Sequence, residues 1–395
     1  MPENESLSDI RSLLAKVPQE YYLLALCIVV GLVIRILLAG FESGDYNNFL
    51  KPWYHYISSR GGFPAFRDDF SDYTPAYLYL LTIAWYVGAP DLVAVKGISI
   101  LGDLVLAIVV YFVAFEASRN RTVACIGCGL VFLAPTVVLN GAFWGQSDGL
   151  YTLCILASLL SLLKDRPLAG TVLYGLAFAI KLQAVFFAPV FLFLILKGRY
   201  QLRYLAIIPG VYLLTVIPAF IAGRPLAELL MIYPDQAGFY KELCWNAPSI
   251  YAAFPSGVYE TFVVTGSLFA VMAALVLMYV LSRGPLPVQP ATYVSVAFIT
   301  VLLVPFLLPA MHERYFYLAD VLSVLYACCY PKRFYIPAIM VAVSFFAYMP
   351  FLFKSEPVPL IFLAAVLFCL LLHVTDCAVR ERFGSWPVFD AQVQG

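Results

Sequence analysis

The chain has 395 residues, of which 63% are hydrophobic and only 12% charged, and its net charge is zero. A soluble domain carries about 25% charged residues, so this composition excludes a water-soluble globule and points to a chain solvated by lipid. The zero net charge gives no electrostatic basis for binding nucleic acid, and no nucleic-acid partner is expected.

Taken in chain order, the apolar runs predict spans at 21–39, 92–116, 121–139, 148–163, 168–181, 184–197, 204–222, 260–282, 291–309, 315–330, 334–353 and 357–379. The expected fold is an all-α polytopic membrane bundle of about twelve transmembrane helices, in a range of about eleven to thirteen, since ~20 apolar residues cross the hydrocarbon. The first run reads as helix one rather than a cleaved signal, because it is long and lacks a small-residue cleavage site. The whole of 1–395 reads as a single integral-membrane domain with two long connections, 40–91 and 223–259.

The charges sort by connection. Lys and Arg gather at 119–121, 164–166, 197–203, 283, 332–333 and 380–382, whereas acids, Trp, Asn, Gln and two of the three His gather at 45–72, 140–148, 181–183, 233–245 and 312–314. Basic loops stay cytoplasmic, so the second set is expected on the opposite, outer face, with both chain termini cytoplasmic. The short run 73–86 is flanked by Asp72 and Asp91 rather than by bases. A full crossing there would put Asp45 and 140–148 on opposite sides, so it reads as a helix lying along the outer leaflet or re-entrant in it.

Nine Cys are present, nearly all inside apolar runs, so a disulfide framework is not expected. Cys125 and Cys128 have metal-like spacing but lie within a span with no second pair, and they read as small packing residues.

Five polar islands occupy the outer set. Asp45, in the stretch running to Trp53 and His55, could act as a general base toward a hydroxyl or simply cap a surface helix. Asp68, Asp69 and Asp72 could bind a metal or a polar acceptor, or be ordinary loop acids before the helix that Pro75 initiates. In Asn140-Gly-Ala-Phe-Trp144-Gly-Gln146-Ser-Asp148, a turn needs a Gly but not Trp, Gln and Asp together; Gln146 with Asp148 reads as hydrogen-bonding equipment for a polyol. Lys181 and Gln183 end a short span, where Lys181 either snorkels to headgroups or pairs with a phosphate. His312-Glu313-Arg314 places three titratable groups at the start of a long apolar helix, and Arg offers two-pronged phosphate recognition. Arg35, Lys96 and Asp103 lie in the outer halves of spans; Lys96 and Asp103 share a helical face, and an internal ion pair is expected there.

The order Asp45…Trp53, Asp72-Tyr-Thr-Pro-Ala-Tyr-Leu-Tyr, Lys96…Asp103, Asn140…Asp148, Lys181-Leu-Gln-Ala184 and Met311-His-Glu-Arg-Tyr-Phe-Tyr317 resembles bacterial relatives of the second GPI mannosyltransferase, in the GT-C class of integral-membrane glycosyltransferases. The resemblance runs from about residue 40 to 325 and implies helices in the first outer loop. It also implies inverting transfer of a sugar, mannose foremost, from a polyprenyl- or dolichyl-phosphate donor to a glycan, lipid or protein hydroxyl acceptor. Carried over, the base falls on Asp45 and the cations that meet the lipid phosphate on Lys181 and Arg314, with His312 beside them. Trp144, Gln146 and Asp148 would line the sugar pocket, with Gln183, Glu313, Asp69, Trp245 and Asn246 as further substrate contacts. The chain departs from its relatives at Lys181-Leu-Gln183, where they carry Lys-Pro-Gln, and at Tyr73-Thr-Pro75, where they carry Tyr-Pro-Pro. No cofactor is required, although Asp45 and Asp69 make one place where a divalent metal could sit. The expected location is a bacterial inner membrane, with the site facing the periplasm or exterior. The alternatives are a lipid-linked sugar flippase, which would need charges through the middle of several spans, and an O-antigen-ligase-like transferase acting on a diphosphate donor.

Overall fold

A computed structural model of the protein describes residues 18–239 and 241–384. The expected cytoplasmic placement of the chain termini concerns residues outside this range.

The first helix, α1 (Gln19–Leu38), buries only Gly31 and Arg35, so nearly its whole surface is left to lipid. Gly31 is where it meets its neighbour: a Cβ there would lie 2.6 Å from the Phe132 ring. The first long connection is folded, not open. A π-helical turn at Tyr46–Leu50 leads into α2 (Lys51–Ser59), a 3-10 turn at Phe63–Arg67 and α3 (Pro75–Tyr86). Tyr46, Leu50, Trp53, Ile57, Phe66, Tyr77 and Leu81 form a hydrophobic cluster with Tyr212, Val216, Leu229 and Tyr233. Within 73–86, Pro75–Tyr86 is thus a 12-residue helix built into this cluster.

α4 (Asp91–Ser118) has 28 residues, about 42 Å at 1.5 Å per residue, longer than the hydrocarbon needs. It packs against α5 (Arg121–Leu133) and α7 (Asp148–Leu163). Between those two the chain is interrupted at Pro135. A short helix α6 (Pro135–Val138) leaves α5 at 48° and passes into a π-helical turn, Leu139–Trp144, closed by Gly145 at φ 87°. Proline removes a helical donor, the extra residue of the π-turn widens the helix, and glycine tolerates the left-handed exit. Together they aim Trp144, Gln146 and Asp148 at one place.

α7 and α8 (Pro167–Ile180) pair closely; a 3-10 stretch, Leu182–Phe187, then leads to α9 (Pro189–Leu196). α10 (Ile207–Ala222) and α11 (Leu226–Phe239) follow, and then β1 (Cys244–Trp245), α12 (Tyr259–Arg283) and α13 (Pro290–Leu307). α13 is buried almost end to end and forms the axis of the main core with α14 (Tyr317–Cys329). α15 (Tyr335–Phe353) and α16 (Leu360–Phe383) complete the bundle. β1 pairs in parallel with β2 (Met311–His312).

The chain is an integral, multi-pass, all-α membrane protein. Among the described residues, seven helical segments are long and apolar enough to cross a bilayer, or eight if the pair bent at Pro135 counts as one span. Helix occupies every run read as a span, but α7, α8, Leu182–Leu196 and α14 are short. Length and composition therefore support fewer crossings than twelve, and the short helices satisfy their backbones within the protein.

The expected internal ion pair is Arg35–Asp103. Arg35 Nε and Nη2 both reach Asp103 Oδ2 at 3.2 Å, Nη1 donates to Phe132 O at 2.7 Å, and Tyr317 OH donates to Asp103 Oδ1 at 3.2 Å. Lys96 instead donates to Phe143 O at 2.5 Å. Seven residues put Lys96 and Asp103 on one face but about 10 Å apart along the axis, too far for a direct pair. Cys125 and Cys128 are buried free thiols, and all nine Cys are free.

Candidate active site

One cavity of about 1000 Å³ opens where the two long connections and the loops after α6, α8 and α13 meet. Asp45, Gln146, Lys181, Gln183, Asp69, Trp245, Asn246, His312, Glu313 and Arg314 all line it. Of the residues expected to serve as base, phosphate-meeting cation or substrate contact, all but Trp144 and Asp148 are on its wall. Those two are almost fully buried and lie behind the wall rather than on it, holding the residues in front.

Asp45 is held through one oxygen. Its Oδ2 accepts from Gln146 Nε2 at 2.5 Å and from Trp144 Nε1 at 3.0 Å, and lies 3.5 Å from Arg314 Nη1. Its Oδ1 has no hydrogen-bond partner among the described residues. Ser43 fixes the approach, donating to Trp144 O at 2.6 Å and accepting from Tyr46 N at 3.1 Å. Asp45 is the N-cap of the π-turn by position, but its side chain makes no capping bond, so capping does not account for it.

Lys181 is fixed from behind. It leaves the helical path of α8 in an extended conformation, and its Nζ donates to Asp148 Oδ1 at 2.6 Å and to Gln146 Oε1 at 3.4 Å. Asn140 Nδ2 donates to the other oxygen, Asp148 Oδ2, at 2.7 Å. Gln146 therefore ties the acid to the cation: its amide nitrogen serves Asp45 and its carbonyl serves Lys181 and the Tyr73 hydroxyl. Arg314 lies over the Trp144 ring, 5.5 Å from its centroid, and Lys181 lies 5.3 Å from that of Tyr73.

His312 and Glu313 flank Arg314 on the chain. Burial, with Arg314 and Lys181 close by, pushes the His312 imidazole down to about 2, so the ring is neutral across the physiological range. Burial pushes the Glu313 carboxyl up to about 7; Arg314 opposes the shift while Asp45 and Asp148 add to it. Glu313 Oε1 has no partner among the described residues. The second long connection reaches this segment through the β1–β2 pairing, which stacks Trp245 on His312 with centroids 5.8 Å apart and planes at 14°. Asn246 bridges to His312 from a left-handed backbone, φ 53°.

Asp69 is on the cavity wall but paired with Arg224 at 2.5 Å, and Asp68 pairs with Arg60 at 3.3 Å. Among the described residues no group of three or more His, Cys, Asp or Glu could hold an ion, and the groups around Asp45 are all donors, one of them cationic.

Sequence reasoning did not assign roles to Tyr73, Asn140, Ser43 or Arg224. Arg224 had a signal: it is a lone base following Gly223 at the end of a span, an exception to the charge sorting. Tyr73 stood within a quoted motif but carries only an unspecific phenol.

An acid held by three donors, one of them Arg314, with Lys181 on the same cavity wall, suits transfer of a group carried on an anion. The glycosyltransferase family 87 profile matches residues 70–305. The chain belongs to glycosyltransferase family 87. No curated protein matches it significantly. Family 87 membership makes it a GT-C-type membrane transferase of sugars. The narrower likeness to relatives of the second GPI mannosyltransferase goes beyond what the family match supports.

Proposed function

We propose that this family 87 transferase moves a hexosyl group, mannosyl foremost, from a polyprenyl-phosphate donor to a hydroxyl acceptor at the non-cytoplasmic face of the membrane, with inversion. The observation that carries this reading is the arrangement of Asp45: Oδ2 is immobilised by Trp144, Gln146 and Arg314, while Oδ1 takes no donor among the described residues. That geometry suits a general base whose orientation is set before the acceptor arrives.

In the proposed step Asp45 Oδ1 takes the proton of the acceptor hydroxyl as that oxygen forms a bond to the anomeric carbon. The bond from the anomeric carbon to the phosphate oxygen breaks on the opposite face, and its electron pair leaves with the polyprenyl phosphate. Lys181 and Arg314 meet the charge that develops there, the kind of preorganised electrostatics that dominates much of catalysis. Neutral His312 offers a hydrogen bond without adding charge. The acceptor is a glycan, lipid or protein hydroxyl, and the charge sorting supports a site facing the periplasm or exterior.

The test is a transfer assay with purified protein in lipid, radiolabelled polyprenyl-phosphate mannose and a membrane extract as acceptor. Label in the acceptor with matching release of polyprenyl phosphate supports the reading. Movement of the intact donor across the bilayer without release of polyprenyl phosphate would make the protein a flippase.

A further inference from the structure

Four cations line the cavity, and three already face carboxylates: Lys181 faces Asp148, Arg314 faces Asp45, and Arg224 faces Asp69 and Glu228. The fourth, Lys354, has no ion pair among the described residues; its Nζ lies 5.2 Å from the Phe351 ring centroid. Lys354 closes α15 in a left-handed conformation, φ 54°. Glycine meets that backbone with less strain, so the position gains from its side chain and not from its backbone.

Beside Lys354 the wall continues out of the cavity as an aromatic ladder. Phe41, just beyond α1, stacks on Phe143 at 3.8 Å with planes at 6°, and Phe143 stacks on Phe353 at 5.5 Å. Phe41 and Phe353 are 39% and 44% exposed, so the ladder is open along its length. At its inner end Phe41, Phe351 and Leu352 line the cavity, and Phe41 follows closely on the largely exposed helix α1. Behind it, Phe351 stacks on Trp144 at 4.8 Å, and Trp144 carries Arg314 on its ring. One layered path therefore runs from Lys354 inward to the cation beside Asp45.

We propose that this ladder seats the isoprenoid chain of the donor and that Lys354 captures its phosphate before the headgroup passes to Arg314 and Lys181. The inference rests on the lipid-phosphate reading above and adds the side of the bundle from which the donor arrives. The charge complementarity is specific: a phosphate-headed lipid is an anion on an apolar chain, and Lys354 is an uncompensated cation at the end of an exposed apolar strip. The other apolar wall, at Ile180, Met231 and Ile232, adjoins Arg224, whose charge is already met by acids.

The probe is a sugar-free undecaprenyl phosphate carrying a photoreactive diazirine in its tail, applied to the full chain in nanodiscs and mapped by mass spectrometry. Crosslinks at Phe41, Phe143 or Phe353, competed by unlabelled undecaprenyl phosphate, support the proposal. Lys354→Glu should weaken that labelling and Lys354→Arg preserve it; losing one lysine's attraction is worth about fivefold in affinity and shrinks with salt. Phe353→Leu, a mild change on an exposed side chain, should raise KM for an undecaprenyl-phosphate sugar but not for its farnesyl counterpart. Crosslinks confined to Ile180, Met231 and Ile232 would overturn the proposal while leaving the transferase reading standing. No competable crosslink anywhere would overturn both. Equal KM changes for long and short donors in Phe353→Leu would also overturn it.

Discussion

Trp144 donates its indole Nε1–H to Asp45 Oδ2 at 3.0 Å while its own ring is wholly buried. The tryptophan therefore orients the acid from behind and leaves the cavity face of Asp45 to the substrate. Trp144→Phe keeps a ring against Phe351 and Tyr348 but removes the donor. A hydrogen bond to a charged group is worth ~1.5–3 kcal/mol, so kcat should fall by about 10- to 100-fold. The check is kinetics beside a thermal melt in detergent. A rate loss with little change in Tm is expected, and unchanged kcat would remove Trp144 from the positioning of the base.

Lys181 and Arg314 are expected to act on the departing phosphate. Replacing either by Ala should lower the rate by ~10²–10³, by analogy with the loss of an oxyanion donor. Asp148 differs, because its side-chain hydrogen bonds among the described residues go to Lys181 and Asn140. Asp148→Ala strands a buried ammonium, and breaking one side of a buried pair costs ~3–5 kcal/mol. The melting temperature should therefore drop with Asp148→Ala far more than with Arg314→Ala.

Glu313 supplies a pH dependence. Burial raises its carboxyl to about 7, and Asp45 and Asp148 act in the same direction against Arg314. The Cys244 thiol and the Tyr348 phenol also face it, and burial raises the thiol, which is neutral near pH 7. Below about 7 Glu313 is neutral; above it, a second negative charge stands beside the position assigned to the donor phosphate. Donor KM should rise as pH climbs through about 7, and Glu313→Gln should flatten that rise. The stability contribution has the same sign: it is fully present below the ordinary value of 4.5 and is lost as pH rises through about 7. An unchanged pH profile in Glu313→Gln would assign the dependence to another group.

Gly149 lies in the first turn of α7, against the Asp103 of the buried Arg35–Asp103 pair. A Cβ there would lie 2.6 Å from Asp103 Oδ1, an oxygen already held by Tyr317. Gly149→Ala should cost ~1–3 kcal/mol by overpacking. Gly97 on α4 has no atom within 4 Å of such a Cβ, so Gly97→Ala should be neutral or stabilise by ~0.5–1 kcal/mol. Paired melts of the two variants check both signs.

Much of the bundle was legible because lipid imposes long apolar runs and charge sorting orders them. The polar islands were legible because Trp144, Gln146 and Asp148, or His312 to Arg314, exceed what a turn requires. What the sequence withheld was which residue serves which. Asp45 and Gln146 are 101 positions apart, and no local pattern says that one amide reaches both the acid and Lys181. The retreat of Trp144 and Asp148 behind the wall depends on the π-turn at Leu139–Trp144 and the break at Pro135, irregularities with no periodic signature. The number of crossings is less legible, because a run such as α8 can be apolar from burial in protein as well as from contact with lipid.

The most direct measurement compares wild type with Asp45→Asn in the reconstituted transfer assay, with donor binding measured in parallel. Asn keeps the shape and the contacts to Trp144 and Gln146 largely in place while removing the base. Transfer should fall by ~10²–10⁴, with donor binding retained. Transfer at the wild-type rate in Asp45→Asn would contradict the assignment of Asp45 as the base.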